Sequence, residues 1–91
     1  MLIQQCYDQA YLDSNADYII SGKITDVSST SATLSANSYS KGASLGSKIT
    51  IASYRADEQP IFMKGESVIL YLKDDNGTLS VFCGIQGAKR V

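Results

Sequence analysis

The segment Phe62-Met63-Lys64-Gly65-Glu66, which continues as Ser67-Val68-Ile69-Leu70-Tyr71-Leu72, decides the fold of this chain. It places an aromatic residue and a glycine-containing turn directly before a strand that is apolar on both faces. Successive side chains of a strand point to opposite faces, so a strand apolar on both faces needs cover on both sides. The segment therefore predicts a chain that enters the middle of a closed β-structure.

Strand signals recur along most of the chain. Five segments carry them: residues 18–27, 32–39, 48–53, 68–72 and 79–83. Gly22 interrupts the first strand and Val27 falls outside its alternation, which indicates sharp coiling or a bulge. Five short strands, one of them kinked by glycine, predict a small Greek-key barrel, because closure removes the exposed edges of a small sheet.

A short helix precedes the strands in the prediction. Residues 7–13 carry apolar groups at Tyr7, Ala10 and Tyr11, a helical spacing, which predicts a helix whose tyrosine face packs on a sheet. The 91 residues are enough for a single domain, spanning residues 1–91. We interpret residues 1–5 as the stub of a signal peptide or an expression start.

The charge of the chain is balanced and scattered. Eight basic and nine acidic residues give a formal net charge of −1, and no basic stripe appears in the sequence. Tight binding to nucleic acid is therefore not expected, because it depends on neutralising phosphates. No apolar run approaches the length of a membrane-spanning helix.

The two cysteines, Cys6 and Cys83, lie close to opposite ends of the chain. One precedes the folded region and the other ends the last predicted strand, which favours a bridge between them over two free thiols. In the chain-entropy model, closing so long a loop contributes about 4–5 kcal/mol. A bridge would imply an oxidising compartment, and therefore an extracytoplasmic protein.

A family resemblance rests on four segments taken in order. They are Cys6 with Ala10-Tyr11 and Ala16-Asp17-Tyr18-Ile19-Ile20-Ser21-Gly22-Lys23-Ile24; Tyr39-Ser40-Lys41-Gly42; Phe62-Met63-Lys64-Gly65-Glu66 with residues 68–72; and residues 79–84 with Gln86-Gly87. Together they resemble the netrin-like modules, the group that includes the tissue inhibitors of metalloproteinases and their bacterial and archaeal relatives. The resemblance covers nearly the whole chain from Cys6 onward.

The resemblance implies an OB-type barrel in which a disulfide joins the N-terminal segment to the last strand, and Cys6 and Cys83 match those positions. It does not extend to the Cys-x-Cys start and second bridge of the animal inhibitors. Those inhibitors chelate the zinc of the enzyme through the α-amino group and carbonyl of a first-residue cysteine. Five residues precede Cys6 here, so this form has no such amine unless processing creates one.

The resemblance also implies a contact surface for a protein partner. It places that surface on the ridge where residues 5–8 meet the loop after the third strand. The candidate partner-binding residues are Gln5, Tyr7, Asp8, Tyr54 and Arg55.

No reaction, metal or cofactor is predicted. The chain lacks histidine and no nucleophile motif surrounds a serine, which disfavours catalysis. The acidic pairs Asp57-Glu58 and Asp74-Asp75 lack the alternating oxygen-ligand spacing of a calcium site. Asn76-Gly77-Thr78 is formally an N-glycosylation acceptor, but Asn-Gly is typical of a type I′ hairpin turn, and we predict the turn.

The sequence thus predicts an all-β protein, a small five-stranded Greek-key OB-type barrel with a short N-terminal helix. We expect a secreted or cell-surface protein-binding module without enzymatic activity, with an extracytoplasmic protease as one candidate partner. Three alternatives stay open: an OB barrel that binds oligonucleotide or sugar, a structural accessory domain of a larger surface protein, and a thiol-active protein with unpaired cysteines.

Overall fold

The computed structural model describes residues 4–52 and 62–91. In chain order its elements are a 3₁₀ turn at Gln4–Tyr7, helix α1 at Gln9–Asn15, strands β1 at Tyr18–Val27, β2 at Ser31–Lys41, β3 at Lys48–Ala52, β4 at Ser67–Asp75 and β5 at Thr78–Val81, a 3₁₀ turn at Gly84–Gly87, and strand β6 at Ala88–Arg90. The bounds of β1 match the prediction, and β2 is longer than predicted.

Five of the strands close into a barrel. The sheet order is β1-β2-β3-β5-β4, and β4 pairs back with β1 to close it. All of these pairs are antiparallel except β3 with β5, which is parallel. The predicted all-β, five-stranded OB-type barrel with a short N-terminal helix is therefore confirmed.

The end of the fifth strand differs from the prediction, and a sixth strand follows it. β5 ends at Val81, because Cys83 has a φ of 63°, outside the extended region that a strand requires. One edge of β4 pairs with β1, and its other edge pairs first with β6 and then with β5. Strands β5 and β6 therefore lie along one edge of β4, interrupted by residues 82–87.

The predicted bulge in β1 is present. The register between β1 and β2 shifts between Ile24 and Asp26, where Thr25 is the extra residue of β1, and also between Ser21 and Gly22, where the extra residue is Asn37 of β2. A Cβ atom at Gly22 would overlap the carbonyl oxygen of Ser35 on β2. Glycine at this position allows the two backbones to approach closely where the wall of the barrel bends.

The hairpin between β4 and β5 has the predicted turn. Asp75 pairs with Thr78, so only Asn76 and Gly77 lie in the turn. Their φ angles are 53° and 90°, and a type I′ turn requires positive values at both positions.

Strand β4 is buried on both faces, as predicted. Its inward side chains belong to the barrel core, which also contains Phe62 at the entrance to the strand. That core consists of Ile20, Ile24, Ala32, Leu34, Ile49, Ile51, Phe62, Val68, Leu70, Leu72, Leu79, Val81 and Ala88. On the outer face, Ile69 and Tyr71 pack in a second cluster beneath α1 with Leu12, Ala16 and Ile19.

The predicted packing face of the helix is wrong for Tyr7 and Ala10, which are exposed, whereas Tyr11 packs against Phe82. Tyr7 lies outside α1, in the 3₁₀ turn, and it is 66% exposed. The helix begins after Asp8, whose carboxylate accepts the N–H of Ala10 at 3.0 Å as an N-cap. This later start breaks the predicted spacing, and Leu12, which is 0% exposed, is the residue that faces the sheet.

Candidate partner-binding surface

The N-terminal segment is joined covalently to the turn that follows β5. Cys6 and Cys83 form a disulfide with their Cα atoms 5.6 Å apart, which confirms the predicted pairing. Cys6 is buried, while Cys83 is half-buried. A disulfide of this kind is typical of proteins in oxidising compartments outside the cytoplasm.

Polar contacts fix α1 on the outer wall of the barrel. At its first turn, the Nε2 atom of Gln9 donates to the hydroxyl of Tyr71 on β4 at 2.6 Å. At its last turn, the Nζ atom of Lys41 donates to the carbonyl oxygens of Asp13 and Ser14 at 2.8 and 3.1 Å. A lysine ammonium at this end satisfies free helix carbonyls and complements the helix dipole.

The segment between α1 and β1 is attached to β4 through Asp17. Its N–H donates to the carbonyl of Leu72 at 2.8 Å, and its Oδ2 atom accepts the N–H of Asp74 at 2.9 Å. The Nζ atom of Lys73 lies 3.8 Å from its Oδ1 atom, with both side chains 43% exposed. This ion pair is solvent-screened, so the backbone contacts are the firmer attachment.

An aromatic and cationic surface lies where these elements meet. The Tyr11 ring stacks on Phe82 with centroids 5.8 Å apart, and the Nζ atom of Lys73 lies 5.3 Å from the Phe82 centroid. Tyr7 follows Cys6 and Phe82 precedes Cys83, so the disulfide brings together the segments that carry these two rings. We call Tyr7, Tyr11, Lys73 and Phe82 the aromatic surface.

Three of the five predicted partner-binding residues lie on the exposed N-terminal segment. Gln5, Tyr7 and Asp8 are all exposed, and Asp8 also caps α1. Tyr54 and Arg55 lie outside the described residues. Of the two segments that form the predicted ridge, the structure therefore describes the N-terminal one.

Sequence reasoning missed the part that Phe82 and Lys73 take in this surface. A signal for Phe82 was present in the alternation of β5, in which Leu79 and Val81 point inward. Continuing that alternation places Phe82 on the outside of the barrel, where a large aromatic side chain is uncommon without a partner.

Of the acidic pair Asp74-Asp75, which was considered above as a calcium ligand, Asp74 has a structural role. The Oδ1 atom of Asp74 accepts the N–H of Gly77 at 2.8 Å and supports the hairpin turn. Within residues 4–52 and 62–91, no three histidine, cysteine or acidic side chains come together as metal ligands. The pair Asp57-Glu58 lies outside the described residues.

Comparisons with protein-family models, with curated proteins and with solved structures find no match for this chain. In the described part of the chain, no helix is long and apolar enough to cross a membrane. The class that the structure itself defines is a small OB-type barrel with a disulfide-anchored N-terminal helix.

Proposed function

We propose that this chain is an extracytoplasmic protein-binding module of the netrin-like type, without enzymatic activity. The observation that carries the proposal is Tyr7, a large side chain that is 66% exposed between two fixed neighbours. Cys6 before it is buried and disulfide-bonded, and Asp8 after it caps α1. Such a preorganised aromatic residue loses little conformational freedom on binding.

The rest of the aromatic surface suits the same role. Tyrosine and other aromatic side chains are enriched at the centres of protein interfaces. Tyr11 is supported by its stack on Phe82, and the ammonium of Lys73 adds a cation beside the rings. A partner with an apolar anchor and a nearby carboxylate would match this surface.

The netrin-like resemblance supports an extracytoplasmic protease as one candidate partner. The two cysteines occupy the positions that the resemblance assigns to the bridge between the N-terminal segment and the closing part of the barrel. Zinc chelation by an α-amino group would require processing directly before Cys6. We therefore propose binding through side chains of the aromatic surface.

Affinity capture from secreted and surface proteins, followed by measurement of each captured partner's Kd, tests this proposal. Tyr7→Ala should weaken binding at least about tenfold, the effect of losing an interface anchor. Met63→Ala is the matched control, because Met63 is 69% exposed and lies in the turn before β4.

Inhibition assays against extracytoplasmic proteases form the second arm of the test. Tyr54→Ala and Arg55→Ala measure whether the other half of the predicted ridge contributes. Equal Kd values for the wild type and Tyr7→Ala would overturn the proposed surface, and so would equal losses in Tyr7→Ala and Met63→Ala.

A further inference from the structure

The outer wall of the barrel, beside the part that α1 covers, carries a row of lysine and serine side chains. Lys48 on β3 pairs with Ser35 on β2, Ser35 pairs with Lys23 on β1, and Lys23 pairs with Ser67 on β4. Residues directly opposite each other in antiparallel strands point to the same face. These four side chains therefore form one row across four neighbouring strands, which we call the lysine row.

Both ammonium groups of the row are available to a ligand. Lys23 and Lys48 are exposed, and the Nζ atom of neither makes an ion pair or hydrogen bond with the part of the chain that the structure describes. They are two strands apart, which corresponds to roughly 10 Å across the sheet. Ser35 lies between them and Ser67 beyond Lys23, so cationic and hydroxyl groups alternate along the row.

The neighbouring positions on this wall are rich in hydroxyl groups. Thr33 lies opposite Thr50 on one side of the row. On the other side, the hydroxyls of Ser21 and Ser38 are 2.6 Å apart. Asp26 is the acidic residue beside Thr33, and its carboxylate accepts the N–H of Val27 at 3.0 Å.

We propose that this wall binds an acidic polysaccharide, a carbohydrate chain that carries carboxylate or sulfate groups. The two lysines supply positive charge for the anionic groups, and the serine and threonine hydroxyls supply donors and acceptors for the sugar hydroxyls. Lys48 and Ser35 lie on β3 and β2, and the face of strands 2 and 3 is the one that binds oligonucleotides and oligosaccharides in OB barrels.

The same wall is poorly suited to single-stranded nucleic acid. Binding of unpaired bases relies on aromatic side chains as stacking platforms. The described residues of the lysine row and of its two neighbouring rows on β1, β2 and β3 are lysine, serine, threonine and aspartate, with Asn37 as the extra β2 residue between Ser35 and Ser38. The site is also separate from the aromatic surface, so either proposal can fail without the other.

Titration of the labelled protein with polygalacturonate and with dextran sulfate at low ionic strength tests the inference. Neutral dextran and an oligothymidylate serve as comparison ligands. We expect salt-dependent binding to at least one acidic polysaccharide, with little binding to neutral dextran. Lys23→Gln and Lys48→Gln should each weaken binding about fivefold, and the double variant about 25-fold.

Lys64→Gln is the charge-matched control, because Lys64 is exposed in the turn before β4 and outside the row. It should leave the affinity unchanged within about twofold. The inference is overturned if neither acidic polysaccharide binds, if Lys64→Gln weakens binding as much as Lys23→Gln, or if the oligothymidylate binds more tightly. Loss of binding in Tyr7→Ala alone would also contradict it, by assigning the ligand to the aromatic surface.

Discussion

Removing the disulfide should cost this domain a large part of its stability. Cys6 and Cys83 are 77 positions apart in the sequence. Closing a loop of that length lowers the entropy of the unfolded chain by the equivalent of about 4.5 kcal/mol at 25 °C, and measured values are commonly about 2–4 kcal/mol. A chain of this length typically has a total unfolding free energy of about 5–14 kcal/mol, so the loss is a substantial fraction.

Urea unfolding of the double variant Cys6→Ser/Cys83→Ser, followed by circular dichroism, measures this loss. For a domain of this size the slope is roughly 1 kcal/mol per molar urea, so the midpoint should fall by about 2–4 M. Wild-type protein treated with a strong reductant is the matched control, because it loses the bridge without a change of sequence. Its unfolding midpoint should agree with that of the double variant.

Two results would refute the reasoning. A midpoint within about 0.5 M of oxidised wild type would mean that the bridge constrains the unfolded chain far less than its loop length implies. A double variant that is much less stable than reduced wild type would assign the loss to the serine side chains at these packed positions rather than to the missing covalent bond.

Two further substitutions test the packing. Leu12→Ala should lower the free energy of unfolding by about 2–5 kcal/mol, because the Leu12 side chain is fully buried between α1 and the barrel wall. The same urea titration measures this loss, and a loss below about 1 kcal/mol would contradict the role. Gly22→Ala should lower the thermal midpoint by several degrees or prevent folding, because its Cβ would overlap the backbone of Ser35, whereas the exposed control Thr50→Ala should change it little.

The closed barrel could be predicted because several local signals agree on it. The doubly apolar strand after Phe62 needs cover on both faces, and Asn76-Gly77 defines the following hairpin. Gly22 marks the bend in β1. Each of these signals acts over a few residues, so sequence alone contains them.

The helix face and the end of β5 were not predicted, the first because a local capping signal at Asp8 was missed and the second because a longer-range contact decides it. Asp8 caps α1 and so leaves Tyr7 outside the helix, and Leu12 is the residue of α1 that is buried against the barrel. Phe82 and Cys83 have the composition of a strand, but the bridge to Cys6 accompanies a left-handed backbone at Cys83 that ends β5. Local strand propensity is too weak to decide against such constraints.

The two surfaces show the same limit. The partner-binding residues stay a prediction from resemblance, and the structure shows that Gln5, Tyr7 and Asp8 among them are exposed. The lysine row could not be predicted, because the alignment of Lys23 with Lys48 depends on the register of three strands and on the bulges in β1 and β2. Register depends on turn geometry and packing along the whole hairpin.

The burial of β4 on both sides has a consequence for insertions and deletions. In most sheets a slip of one residue is strongly disfavoured, because it moves the apolar set into water. In β4 it would exchange Leu70 and Leu72 for Ile69 and Tyr71, and both sets would still be covered by nonpolar groups. The register of β4 must therefore be set at its ends. There the Asp17 carboxylate accepts the N–H of Asp74, and the N–H of Gly65 donates to the carbonyl oxygen of Ile24. Insertions and deletions in the turns that flank β4 are therefore the sequence changes best able to shift its register within the barrel.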